Sequence, residues 1–109
     1  MQWPLWRVAI AERSMEPALA PGDWLLAWRG LQQGSPHRIR PGQIVIARHP
    51  GRPDFLLVKR AVRRDASGWW LGSDNDHVAA VDSRSFGAVP AGLIVGRMLV
   101  RYRRGRVRG

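Results

Sequence analysis

The chain has 109 residues, with eighteen basic side chains against eight acidic ones and a net charge of +10. At this length a single domain over residues 1–109 is expected, with no room for a second of full size. The 45% hydrophobic content with six Trp argues for a packed core, and the absence of Cys excludes a disulfide framework or a Cys-based zinc or redox centre.

Residues 1–10 hold Trp3, Leu5 and Trp6 beside Arg7. The segment is too short and too polar for a secretory leader. No stretch of the chain reaches the ~20 apolar residues of a spanning helix. The Trp-rich start therefore packs on the chain's own core or dips into a membrane interface, and core packing is the simpler expectation. A cytoplasmic location is expected, with peripheral membrane contact as the variant.

Residues 15–19, after Ser14, read as one helical turn stopped by Pro21-Gly22. Residues 24–28, 44–47, 55–62, 69–71 and 93–102 are short, β-branched or aromatic-rich runs between Pro/Gly turns, which predicts strands. Residues 29–40 are polar with Gly and Pro and read as an exposed loop. Residues 101–109 carry five Arg in nine positions; the first part finishes a strand, and about 104–109 form a basic tail. The predicted fold is mainly β, a small folded sheet or barrel with little helix.

The charge has two readings. Such a basic chain is the usual footprint of a protein that meets phosphate. It also fits a compositional preference, because seventeen of the eighteen basic residues are Arg and only Lys59 is Lys. Arg stays protonated, whereas a desolvated Lys amine can act as a base. Lys59 sits in Phe55-Leu56-Leu57-Val58-Lys59-Arg60-Ala61-Val62. If Leu56 and Val58 face the core, Lys59 faces solvent. Yet Leu57 and Ala61 share its face, so an apolar surrounding that lowers its pKa is equally open.

Other segments carry chemistry of their own. Ser14 opens a turn and reads as a helix N-cap or as an exposed nucleophile with backbone N–H groups alongside. Ser73-Asp74-Asn75-Asp76-His77 has carboxylates spaced like a calcium loop but lacks the Gly and terminal Glu such a loop needs. No metal and no cofactor are expected. A Ser-His-Asp triad through His49 or His77 lacks the strained Gly-x-Ser-x-Gly setting. Asp82-Ser83-Arg84-Ser85-Phe86-Gly87 reads as a turn with a local Asp–Arg pair.

Taken in order, these segments resemble the signal peptidase I family of Ser–Lys endopeptidases. Ser14-Met15-Glu16-Pro17-Ala18-Leu19-Ala20-Pro21-Gly22-Asp23 is similar to that family's nucleophile box. Pro41-Gly42-Gln43-Ile44-Val45 resembles its Gly-Asp-Ile-Val strand, with Gln43 in place of Asp. Lys59-Arg60-Ala61-Val62 is similar to the Lys-Arg-Val box. Ser73-Asp74-Asn75 with Val81 to Gly87 resembles its Gly-Asp-Asn…Asp-Ser-Arg box, and Leu93-Ile94-Val95-Gly96-Arg97 its last strand. Glu12 stands where some members have a second oxyanion donor, and Ser73 replaces a Gly. The Ser that helps orient the Lys in the family falls near Ala79 or Ala80. Membrane anchors are absent, which makes the chain most similar to the short nickel-type superoxide dismutase maturation proteases.

The resemblance implies a serine endopeptidase in which Ser14 attacks and Lys59 is the general base. Met15, Pro17, Arg60, Asp74, Asn75, Asp82, Ser83 and Arg84 would support them. The implied partner is a precursor protein, the nickel superoxide dismutase precursor, from which a short N-terminal leader is removed. Two alternatives stand beside it: a membrane-peripheral relative acting on secretory precursors, and an inactive basic β-domain that binds nucleic acid through its Arg-rich tail and aromatic residues. No nucleic acid is expected on the first reading.

Overall fold

The computed structural model describes residues 4–29, 38–78 and 81–103. Six strands run through them: β1 (Leu5–Ala9), β2 (Asp23–Trp28), β3 (Ile44–His49), β4 (Arg52–Asp65), β5 (Gly68–Gly72) and β6 (Ile94–Arg103). They form one antiparallel sheet in the order β1-β2-β6-β3-β4-β5. The sheet is open, with β1 and β5 at its edges. A four-residue helix, α1 (Ser83–Phe86), and a 3₁₀ turn at Ala91–Leu93 complete the elements. The expected mainly β fold is found, as a folded sheet and not a closed barrel.

Two apolar clusters hold the sheet. Ile10, Met15, Leu19, Leu25, Ala27, Ile44 and Ile46 form the first. Val45, Ala47, Ala61, Trp69, Leu71, Val89 and Ile94 form the second. β3 feeds both, since successive strand residues point to opposite faces and each face of β3 is covered. That is why residues 44–47 are apolar without a break. The Ile, Val, Leu and Met side chains of the two clusters contribute roughly 1.5–3 kcal/mol each when fully buried.

β1 is an element that the sequence reading assigned no strand. Trp6 and Val8 alternate inward onto the first cluster. Arg7 lies on the opposite face, with its guanidinium 5.1 Å from the Trp24 ring centroid. Trp6 thus packs on the protein's own core; Trp3 lies outside the described residues. Residues 15–19 form a single turn, closed by the Leu19 N–H donating to the Met15 carbonyl at 2.9 Å, and no helix continues from it. α1 replaces the simple turn expected at 82–87. The 104–109 tail and most of the 29–40 loop lie outside the described residues.

Turns set the strand ends. Ala20-Pro21-Gly22-Asp23 and Arg40-Pro41-Gly42-Gln43 each close an i to i+3 backbone bond, with Gly at φ +94° and +92° where a type II turn requires positive φ. Gly68 has a stricter reason. Its φ is +135°, and a Cβ there would stand 2.1 Å from the Val89 carbonyl oxygen. Trp69 and Val89 exchange both backbone hydrogen bonds, at 2.8 and 2.7 Å, which brings the segment before Ala91 against β5.

β4 is long enough to serve two partners. Its first half pairs with β3 through Leu56 to Arg60, and its second half pairs with β5 from Arg60 to Asp65. Lys59 stands opposite Val45. Leu57, Lys59 and Ala61 are buried on one face, with Lys59 only 2% exposed, while Leu56 and Val62 are exposed. The solvent-facing alternative for Lys59 is thereby corrected. The face of β4 that carries Lys59 packs against the apolar side chains of β3.

Candidate active site

Ser14 belongs to the connection from β1 to β2. That connection is closed at its base by Ile10 N–H to Asp23 carbonyl and Gly22 N–H to Ile10 carbonyl bonds, at 2.9 and 3.0 Å. Met15 is buried in the first apolar cluster and pins the turn. Glu16-Pro17 is a cis peptide bond. Asn75 clamps the turn from the far side. Its backbone N–H donates to the Ser14 carbonyl at 2.9 Å, and its side-chain amide donates to the Arg13 carbonyl at 2.9 Å. This fixes the backbone on both sides of the hydroxyl.

Lys59 reaches the same point from β4. Its Nζ donates to the Ser14 Oγ at 3.0 Å and to the Ser73 Oγ at 3.1 Å. Ser73 in turn donates to Asp82 at 2.8 Å. Ser14, Lys59 and Asp82 are all buried. Burial is the main influence on the Lys59 amine and pushes its pKa below the usual lysine value; Asp82 and Glu12 pull it upward, and Arg84 pushes it down. A lysine with a lowered pKa holds more of the neutral amine near neutral pH, about tenfold more for each unit.

Asp82 is held in place by its own partners. Burial alone would raise its pKa, but hydrogen bonds from the Arg84 side chain, from Ser73 and from the Arg84 backbone outweigh that and keep it ionised below the ordinary carboxylate value. Its carboxylate caps α1 by accepting from the Arg84 N–H at 2.9 Å, and pairs with the Arg84 guanidinium at 3.1 Å. Ser83 accepts from the Leu71 N–H at 2.8 Å, which docks α1 on β5. Arg60, next to Lys59 but on the other face of β4, makes a two-pronged contact with Asp74 and donates to the Gly42 carbonyl at 2.9 Å. This pairing raises the Arg60 pKa. It ties the strand carrying Lys59 to the segment carrying Ser73 and Asn75. Pro17 lies beside Asp74 on the outer side of the turn.

A cleft of about 260 Å³ opens on the Ser14–Lys59 pair. Val8, Ile10 and Glu12 belong to one wall, and Phe55, Leu56 and Val58 to the other. The lining is mainly apolar.

Of the supporting residues named from the sequence, Asp82 reaches Lys59 through Ser73 and Met15 and Asn75 hold the Ser14 turn, whereas Pro17, Arg60, Asp74, Ser83 and Arg84 make their contacts one step further out. Ser73 joins the site, and its only signal in the sequence is that it stands where the resembled box has Gly. The orienting Ser of the resembled family falls near Ala79 or Ala80 here, positions outside the described residues; a hydroxyl does meet the Lys59 amine, that of Ser73. His49 is occupied elsewhere: its Nδ1 accepts from the Gly51 N–H at 3.0 Å, and its ring stands 5.0 Å from that of Phe86. Among the described residues no group of three His, Asp or Glu side chains is arranged to hold a metal ion, and none is long and apolar enough in a helix to cross a membrane.

A folded antiparallel sheet with a buried Ser–Lys contact in the lining of an apolar cleft is compatible with a serine peptidase. The family comparison gives the same class: the model of the Peptidase S24-like family matches residues 5–90. The chain belongs to the Peptidase S24-like family, a group of serine peptidases in the superfamily that also holds the signal peptidases. The match spans Ser14, Lys59, Ser73 and Asp82. No curated protein matches the chain significantly.

Proposed function

We propose that this peptidase is a Ser–Lys endopeptidase that removes a short N-terminal leader from a precursor protein, with the nickel-type superoxide dismutase precursor as its substrate. The observation that carries the reading is the 3.0 Å contact between the Lys59 Nζ and the Ser14 Oγ, both of buried residues that line the cleft. The Ser14 Oγ attacks the peptide carbonyl carbon as the neutral Lys59 amine takes the hydroxyl proton. The Ser14 N–H makes no hydrogen bond among the described residues and supplies a donor to the oxyanion. When the carbon–nitrogen bond breaks, the Lys59 ammonium gives its proton to the leaving amine. A water then attacks the Ser14 ester, Lys59 takes the water's proton and returns it to the Ser14 oxygen, and the new carboxyl end leaves.

Ser73 and Asp82 hold the Lys59 amine in line with the hydroxyl. Arg60 and Asp74 brace the strand, and Asn75 holds the turn. The test is incubation of wild type, Ser14→Ala and Lys59→Arg with a dismutase precursor and a secretory precursor. Wild type cleaves the dismutase precursor near its N-terminus and both variants do not, because an Arg cannot supply a neutral base. Normal cleavage by Lys59→Arg overturns the mechanism. Cleavage of the secretory precursor alone overturns the assigned substrate and selects a membrane-peripheral role. Salt-sensitive nucleic-acid binding with no processing selects the inactive basic domain.

A further inference from the structure

Glu12 stands apart from the other carboxylates near the site. It belongs to the cleft lining, two residues before Ser14, and is the only acidic residue among those lining it. Glu16 pairs with Arg13, Asp74 with Arg60 and Asp82 with Arg84. Glu12 is exposed and makes no hydrogen bond or ion pair among the described residues, on a chain that carries seventeen Arg. Its charge nevertheless reaches the Lys59 amine. A carboxylate without a partner in the cleft that holds Ser14 and Lys59 adds negative charge where the reaction must build more of it. A cation brought by the substrate removes that penalty.

We infer that Glu12 reads a positively charged side chain, Lys or Arg, carried by the substrate peptide next to the bond that is cut. The inference rests on the cleft being the peptide site, as proposed above. Pairing with Glu12 contributes to binding. It also offsets the field by which Glu12 favours the protonated Lys59, so more of the amine is neutral when the peptide is bound. The apolar walls formed by Val8, Ile10 and Phe55 suit small or apolar neighbours on either side of the cation.

The probe is a set of peptides based on the precursor's cleavage region, with a single Arg, Gln or Glu moved through the two positions on each side of the bond. At one position wild type prefers Arg over Gln by about tenfold in kcat/KM, and Glu is worst, as expected for one charge pair partly removed from water. In Glu12→Gln the Arg-to-Gln ratio at that position falls to about one, and the acid limb of the pH profile moves to lower pH. In Glu12→Lys the order reverses and Glu becomes the best. An Arg preference that is absent in wild type, or that persists in Glu12→Gln, overturns the inference while the endopeptidase reading stands. Failure of wild type to cleave any peptide, with the Ser14→Ala protein as the blank, overturns that reading and the inference with it.

Discussion

Asp82→Asn should move the pH dependence of catalysis in a direction that a structural role for Asp82 does not give. The Ser73 Oγ lies 3.1 Å from the Lys59 Nζ and 2.8 Å from the Asp82 Oδ2, so amine and carboxylate are at most about 6 Å apart. Two unit charges at that distance interact by about 2.8 kcal/mol at an effective dielectric near 20, and by about 0.7 kcal/mol in bulk water. These limits correspond to shifts of about 2 and about 0.5 pH units. Arg84 sits on the same carboxylate and offsets part of its field, so about one unit is expected.

The sign follows from which form Asp82 favours. Its charge stabilises the ammonium, so removing it lets the amine lose its proton at lower pH. The rate rises with pH as Lys59 is deprotonated, and in Asp82→Asn this acid limb of kcat/KM moves down by about one unit. Below the limb, the variant's rate relative to its own plateau is about tenfold higher than in wild type. The plateau itself falls, because Ser73 loses an ionised acceptor. Asn is as good an N-cap as Asp, so α1 keeps its cap and thermal unfolding serves as the control. The assay is kcat/KM for one peptide between pH 5 and 10. A limb that stays in place, or moves up, refutes the assignment of Lys59 as the titrating base coupled to Asp82.

Ser73→Ala leaves the Lys59 amine with one of its two hydroxyl partners; kcat falls by about 10- to 100-fold with KM little changed, and Ser73→Thr recovers most of the rate in steady-state assays. Asn75→Ala removes the amide that holds the Arg13 carbonyl. Urea unfolding should report a loss of about 1–3 kcal/mol together with a lower kcat. Gly68→Ala meets both a positive φ and the Val89 carbonyl, and costs about 2–4 kcal/mol in the same measurement, with no change in the pH of the acid limb.

Much of this arrangement was legible before any coordinates. Residues 24–28 and 44–47 announce strands because β-branched and aromatic side chains run between Pro-Gly turns. β1 was not legible for the opposite reason: Pro4, Arg7 and the Trp residues give no clean alternation until Trp6 and Val8 find the first cluster. The face of Lys59 was undecidable locally. Leu56 and Val58 outvote nothing in a strand whose two sides are both apolar; β3 makes the decision by placing Val45 opposite Lys59. Ser14 and Lys59 were readable from box order. Ser73 was not, because the residue that orients an amine is fixed by where β5 ends relative to β4, and a single sequence does not carry that distance. α1 escaped notice because four residues are too few for helical periodicity, although Asp82 at its start is an ordinary cap.

The contacts within the site are long in sequence. Ser14 and Lys59 are separated by 45 positions, Lys59 and Ser73 by 14, and Ser73 and Asp82 by 9. Ser14 sits on the β1–β2 connection, Lys59 on β4, and Ser73 and Asp82 at the two ends of the β5–α1 connection, and no fragment shorter than residues 14–82 contains all four. A growing chain leaving the ribosome therefore has a serine but no base beside it, and a base but nothing to aim it. Hydrolytic power therefore needs the folded sheet, which is what brings positions 14, 59, 73 and 82 together. Loss of the native sheet switches it off again, which makes turnover a direct readout of how much of the population is folded.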